Sequence, residues 1–179
     1  MNPLRKILAA TVLAAAAGLA SGAAAQSSAN VSTTGSATIF QPISIAKDGD
    51  LRFGVIVRPL SGSGTVTQPA DGSPRTFTGG VGLLTTAGFP SPQPATFTVT
   101  GEGGQTFTIG IPPSFTMNGP SSSTLNVNLA SSAATGTLSN ALGATGTAPF
   151  GVGGTITNIS DTTVSGTYSG NFTVTVTYN

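Results

Sequence analysis

Asp48, Asp50, Asp71, Glu102 and Asp161 are the only acidic side chains of this chain, and it has no histidine and no cysteine. Proton transfer near neutral pH most often uses histidine, and thiolate chemistry or a thiolate metal site needs cysteine. What remains is carboxylate chemistry. A glycosidase needs two carboxylates held across one bond, yet all five acids fall in stretches that read as turns or loops, where aspartate serves the backbone. Asp48-Gly-Asp50 supplies two oxygens of a calcium loop but lacks its distal glutamate. There is no Gly-x-Ser-x-Gly elbow and no phosphate loop ending in Gly-Lys-Ser/Thr. The expectation is a protein that is not an enzyme and carries no cofactor and no metal.

Charge excludes a further class. Charged residues are 6% of the chain, against about 25% in an ordinary soluble domain. No lysine or arginine follows Arg75, so no basic patch for nucleic acid can be assembled. A surface so poor in charge has weak colloidal repulsion and suits a protein that packs against copies of itself.

The elements that would position any site read as strands. Residues 37–46 form a first strand interrupted by Pro42, which suits an edge or a bulge. Lys47-Asp-Gly-Asp50 reads as a tight turn. A second strand over 51–57 places Leu51, Phe53, Val55 and Val57 on one face. Short strands follow at 65–68, 75–78 and 81–86. Residues 95–100 and 105–111 alternate cleanly, joined by Gly101-Glu-Gly-Gly104 as a hairpin loop, and Pro112-Pro113 stops the second. Strands are also expected at 114–117, at 125–129, and at 150–159 with Val152 and Ile156 inward. The Ala/Gly/Ser/Thr-rich residues 130–149 stay undetermined, with room for one or two helical turns at most within 130–142. Short strands at near-regular spacing predict a single all-β antiparallel sandwich or barrel.

The last fourteen residues, Gly166-Thr-Tyr-Ser-Gly-Asn-Phe-Thr-Val-Thr-Val-Thr-Tyr-Asn179, carry the most regular pattern. Gly166, Tyr168, Phe172, Val174, Val176 and Tyr178 share one parity, while Thr173, Thr175 and Thr177 take the other. A period of two puts the first set against a core and the second towards water. On this pattern alone, an ordinary terminal strand of a closed sandwich and the border of an open groove are both possible.

This strand resembles the C-terminal strand of subunits assembled by the chaperone–usher pathway, with a penultimate tyrosine (Tyr178) and a glycine fourteen residues from the end (Gly166). The resemblance implies a pilin-type, immunoglobulin-like sandwich that lacks its last strand. It also implies a groove filled first by a periplasmic chaperone and then by the N-terminal extension of a neighbouring subunit, which is one form of β-strand addition. A second resemblance covers roughly 37–179. Ile43-Ser-Ile, Leu51-Arg-Phe-Gly54, Gly64-Thr-Val-Thr67, Phe150-Gly-Val-Gly-Gly-Thr155 and Gly166-Thr-Tyr-Ser-Gly170 are similar to motifs of the domain of unknown function 4402 family. Proteins of that family often look like subunits of such fibres.

The start of the chain agrees. Residues 1–25 read as a cleaved signal peptide: Arg5 and Lys6, an apolar run over 7–20, and Ala23-Ala24-Ala25 before Gln26. The apolar run is too short to favour a stable membrane anchor. Residues 26–36 form a polar extension in which Ala29, Val31, Thr33 and Gly35 are the smaller, more apolar set, as in a donor strand; residues 37–179 are the sandwich. The expected function is a structural subunit of a bacterial pilus or fimbria. It would assemble by donor-strand exchange with copies of itself or sister pilins, through a periplasmic chaperone and an outer-membrane usher. The protein would pass through the periplasm to the cell surface. The alternative is a monomeric exported binding or adhesin module. With no tryptophan and two tyrosines, aromatic platforms for carbohydrate are scarce in that reading.

Overall fold

Alternation of β-branched and aromatic residues with Thr and Ser drives nearly every ordered stretch into strands. The computed structural model describes residues 28–179, and residues 38–179 are one compact unit. The leader expected over residues 1–25 lies outside the described residues, as do Gln26 and Ser27. Residues 28–37, taken by themselves, carry no assigned strand and are exposed.

Among the described residues twelve strands follow in order. They are β1 (Ser44–Gly49), β2 (Val55–Val57), β3 (Ser63–Gln68), β4 (Thr76–Phe77), β5 (Gly82–Leu84) and β6 (Ala95–Glu102), then β7 (Thr106–Gly110), β8 (Ser114–Asn118), β9 (Thr124–Ser131), β10 (Thr135–Thr137), β11 (Thr145–Ser160) and β12 (Thr175–Tyr178). Among the described residues there is no α-helix, only a 3-10 turn at Pro120–Ser122. All pairing is antiparallel. A large sheet runs β1-β6-β11-β3-β4, with β9 and then β8 on the other edge of β11. A small sheet runs β10-β7-β12, and β2 pairs with β5 as a separate ribbon. The fold is an all-β antiparallel sandwich, as the strand rhythm predicts.

Two features bend the layers around each other. The sixteen-residue β11 pairs with β6 over Thr145 to Val152 and with β3 from Gly154 onward, changing partner at Gly151-Val-Gly-Gly154. Pro112 and Pro113 part β7, in the small sheet, from β8, in the large one; sandwich corners form where a strand bends from one sheet to the other. Phe97, Val99, Phe150 and Val152 of the large sheet then meet Phe107 and Ile109 of the small one. A second cluster holds Phe53, Val66, Val127 and Ile156. Val152 and Ile156 are buried, in line with the alternation.

Several local expectations are corrected. The first strand begins at Ser44, after Pro42, and not at Ala37. Asp48-Gly49 does not turn the chain: it lies within β1, where the pairing with β6 slips between Lys47 and Gly49 as an edge bulge. The strand expected over 51–57 survives as β2 and an isolated bridge at Arg52, because Gly54 adopts φ +68° and interrupts the ladder. Gly101-Glu-Gly-Gly104 is no hairpin loop: Gly101 and Glu102 end β6, and residues 103–105 arch from it to β7 in the other sheet. Residues 130–149 hold β10 and the start of β11 and no helical turn.

Candidate functional site: an apolar cleft beside the C-terminal strand

In β12 the main chain points two ways. The Asn179 N–H donates to the Thr106 carbonyl at 3.2 Å, so residues of its parity turn their backbone groups to β7. Val176 and Tyr178 therefore direct theirs to the outer edge, which no strand pairs among the described residues. Side chains keep the expected alternation: Phe172, Val174, Val176 and Tyr178 are half-buried, and Thr173, Thr175 and Thr177 are exposed. The regular strand spans only four of the last fourteen residues. Upstream, a single bridge holds the segment, with Asn118 N–H to Ser169 carbonyl at 2.7 Å and the reciprocal bond at 3.0 Å. Residues 170–174 have no assigned pairing. Pro112 and Pro113 lie between the two anchoring points on the neighbouring strands, and neither has an N–H to offer.

Beside this segment runs a cleft of about 490 Å³. Ile45 and Lys47 of β1 form one wall, Phe172 and Val174 the other, and Phe97 and Met117 contribute to its floor. Phe172 is propped on Phe115, ring centroids 5.1 Å apart. A second lobe of about 430 Å³ shares Phe53, Met117 and Tyr168 with the first and continues towards Ile56 and Val164. The cleft thus follows the C-terminal segment from Val174 back beyond Tyr168. Its wall from 164 to 179 carries no charged side chain, whereas Lys47, Arg52 and Arg58 all lie on the opposite side. The Lys47 ammonium, 2.6 Å from Asp50, holds that carboxyl below its ordinary value, first through the hydrogen bond and then through its charge. Arg58 donates to the Thr163 carbonyl at 2.7 Å.

The conspicuous residues of the C-terminal motif take distinct places. The Tyr168 hydroxyl donates to the Val164 carbonyl (2.8 Å) and lies 2.9 Å from the Ser123 hydroxyl. Gly166 sits against Pro120. Tyr178 lies beyond the end of the cleft lining, where its hydroxyl accepts from the Glu102 N–H (2.6 Å) and donates to the Gln41 carbonyl (2.9 Å). Glu102, 2% exposed, accepts from the N–H groups of Gln41 (3.1 Å) and Gly143. Sequence reasoning missed Gln41 and Glu102. A lone glutamate among glycines reads as turn chemistry, whereas Glu102 is the last residue of β6 and is buried under the chain at Gln41 and Gly143. Ala29, Val31, Thr33 and Gly35 lie in the exposed, strand-free residues 28–37, with Val31 95% exposed.

The remaining acids do not converge. Asp48 accepts from the Thr98 hydroxyl at 2.7 Å. Asp71 accepts from the Ser73 N–H at 2.9 Å, which lowers its pKa. Among the described residues no three of His, Cys, Asp or Glu gather as a metal cluster would require. No helix there is long and apolar enough to cross a membrane. The arrangement offers strand-edge hydrogen bonding next to apolar pockets.

A family model described as Domain of unknown function (DUF4402) matches residues 43–178, which span every strand of the sandwich. No curated protein and no solved structure matches the chain.

Proposed function

The chain belongs to the DUF4402 family, and from that premise we propose that it is a structural subunit of a bacterial surface fibre whose cleft receives a strand from a neighbouring copy. One observation carries the reading: among the described residues no strand pairs with the outer edge of β12, while the side chains just upstream of it, Phe172 and Val174, line an apolar cleft. An exposed edge beside apolar pockets is a template for strand addition. The strand order agrees. β1-β6-β11-β9 follows the A-B-E-D order of an immunoglobulin-like sheet and β7-β12 its C-F order, so the unpaired edge is the place of strand G.

Residues 26–36 of the next copy supply the strand, with Ala29 and Val31 entering the cleft and Gly35 fitting where it is shallow. Each copy gives one strand and takes one, so the contact is head-to-tail and produces a filament. Before assembly a periplasmic chaperone covers the cleft, and an outer-membrane usher is the site of exchange. Export by a cleaved leader over residues 1–25 places the subunit first in the periplasm and then at the cell surface. No step of this assembly needs an enzymatic group.

The test is deletion of residues 26–36. The shortened chain accepts a strand but cannot donate one, so it stays monomeric alone and, mixed with the intact protein, shortens filaments seen by electron microscopy. A shortened chain that is stable, needs no chaperone and forms filaments by itself sinks the proposal and leaves a closed surface domain as the better description.

A further inference from the structure

We infer that Tyr178, Glu102 and Gln41 form a fixed stop at one end of the cleft, which sets how far an incoming strand can run. The inference rests on the strand-accepting reading above. The cleft lining ends at Ile45 on one wall and Val174 on the other. Just beyond that line, the chain leading into β1 is tied to the end of β12. The Tyr178 hydroxyl spans the Glu102 N–H and the Gln41 carbonyl, and the Phe40 ring meets the Tyr178 ring edge-on at 6.1 Å. Glu102 secures the Gln41 N–H with one carboxylate oxygen and the Gly143 N–H with the other. The Thr145 hydroxyl holds the Gln41 side-chain carbonyl at 2.8 Å.

Three separate stretches of chain thus close on one buried acid. The sequence is cut to fit it: a Cβ at position 101 would overlap the Tyr178 hydroxyl, so Gly101 is what admits that hydroxyl to the Glu102 N–H. At the opposite end the second lobe continues past Tyr168 as far as an exposed hydrogen bond from Arg58 to the Thr163 carbonyl, with no buried acid behind it among the described residues. A strand pairing with the outer edge can extend towards Tyr168 but must end before Tyr178. Tyr178 and Glu102 are positioning residues in this reading, acting through the main chain of Gln41.

The experiment uses the chain without residues 26–36 and three synthetic peptides. The parent has the sequence of residues 26–36; one derivative carries Thr-Val added at its amino end, the other the same pair at its carboxyl end. With the unsubstituted cleft, one lengthened peptide should bind about tenfold more weakly than the parent and the other about equally. In Tyr178→Phe, which keeps the ring and removes the hydroxyl, the penalised peptide should regain most of that loss, and Glu102→Gln should act in the same direction. Unfolding midpoints confirm that both variants are folded, and Tyr178→Phe suffices if the other is not. Equal binding of all three peptides overturns the stop while leaving strand acceptance intact. So does a penalty that persists in Tyr178→Phe. Failure of the parent peptide to bind overturns strand acceptance, and the stop with it.

Discussion

Val174 shows how half-burial changes the consequence of a substitution. Its side chain faces the cleft and is not enclosed, whereas Val99, in the same core cluster, is fully buried. An aspartate at position 99 would lose its hydration entirely and carries the several-kcal/mol cost of a buried unpaired charge. Val174→Asp can turn its carboxylate to the open cleft, so its expected cost in urea unfolding is smaller, about 1–2 kcal/mol. Its effect on the cleft is larger, because the new charge stands where an apolar side chain is received. The folded Val174→Asp chain should therefore bind the 26–36 peptide too weakly to detect. A variant as stable as the original that still binds the peptide would remove Val174 from the acceptor surface. The parity that singles out Val174 was legible in the sequence, since side-chain period needs only local information. Whether its face meets a closed core or a cleft depends on strands up to 130 residues away.

Elements divide in the same manner. The strands around Phe97 and Phe107 were readable because their alternation is strict and each end carries Gly or Pro; those around Val127 and Val152 were readable from the parity of their apolar residues alone, and the start of the latter, 145–149, was not. The turn expected at Asp48-Gly49 and the hairpin expected at Gly101-Gly104 failed for one reason: turn chemistry reports backbone freedom, not the partner of the next strand. The same residue types serve a bulge on an edge strand and an arch between two sheets. Arg75 gives an element-scale prediction. Its guanidinium donates to the carbonyls of Phe53, of Val55 at 3.0 Å and of Leu84 at 2.7 Å, fastening the β2–β5 ribbon to the chain before β4. Burial lowers its pKa, and these carbonyls give the charge its partners. Trypsin should cut slowly after Arg75 in the native protein and quickly in urea. Since no lysine or arginine follows, the product is one fragment spanning 76–179. Rapid native cleavage, read by mass spectrometry, would mean that the ribbon detaches readily and the Arg75 contacts are weak.

At the scale of the whole molecule, an unfilled cleft leaves stability unrealised. Among the described residues no side chain fills the space that Phe172, Val174 and Tyr168 face, and no strand pairs with the outer edge of β12. A strand that binds only the folded state must raise stability by mass action, by about 2.7 kcal/mol at a hundred times its dissociation constant. For a domain of this size that is a rise of about 5–10 °C in the unfolding midpoint. The prediction is that the 26–36 peptide gives such a rise in the chain lacking those residues. A peptide with Val31 replaced by aspartate should give none. Parity provides the stricter control, because the alternate set Ser28, Asn30, Ser32, Thr34 and Ser36 is wholly polar. A peptide whose alternation is broken by one serine inserted between Ala29 and Asn30 keeps its composition almost unchanged but cannot seat Ala29 and Val31 together. If composition alone governed binding, the broken and intact peptides would stabilise equally. If alternate side chains enter a cleft of fixed period, the broken peptide must lose most of the shift, since a one-residue slip sends every later side chain to the opposite face.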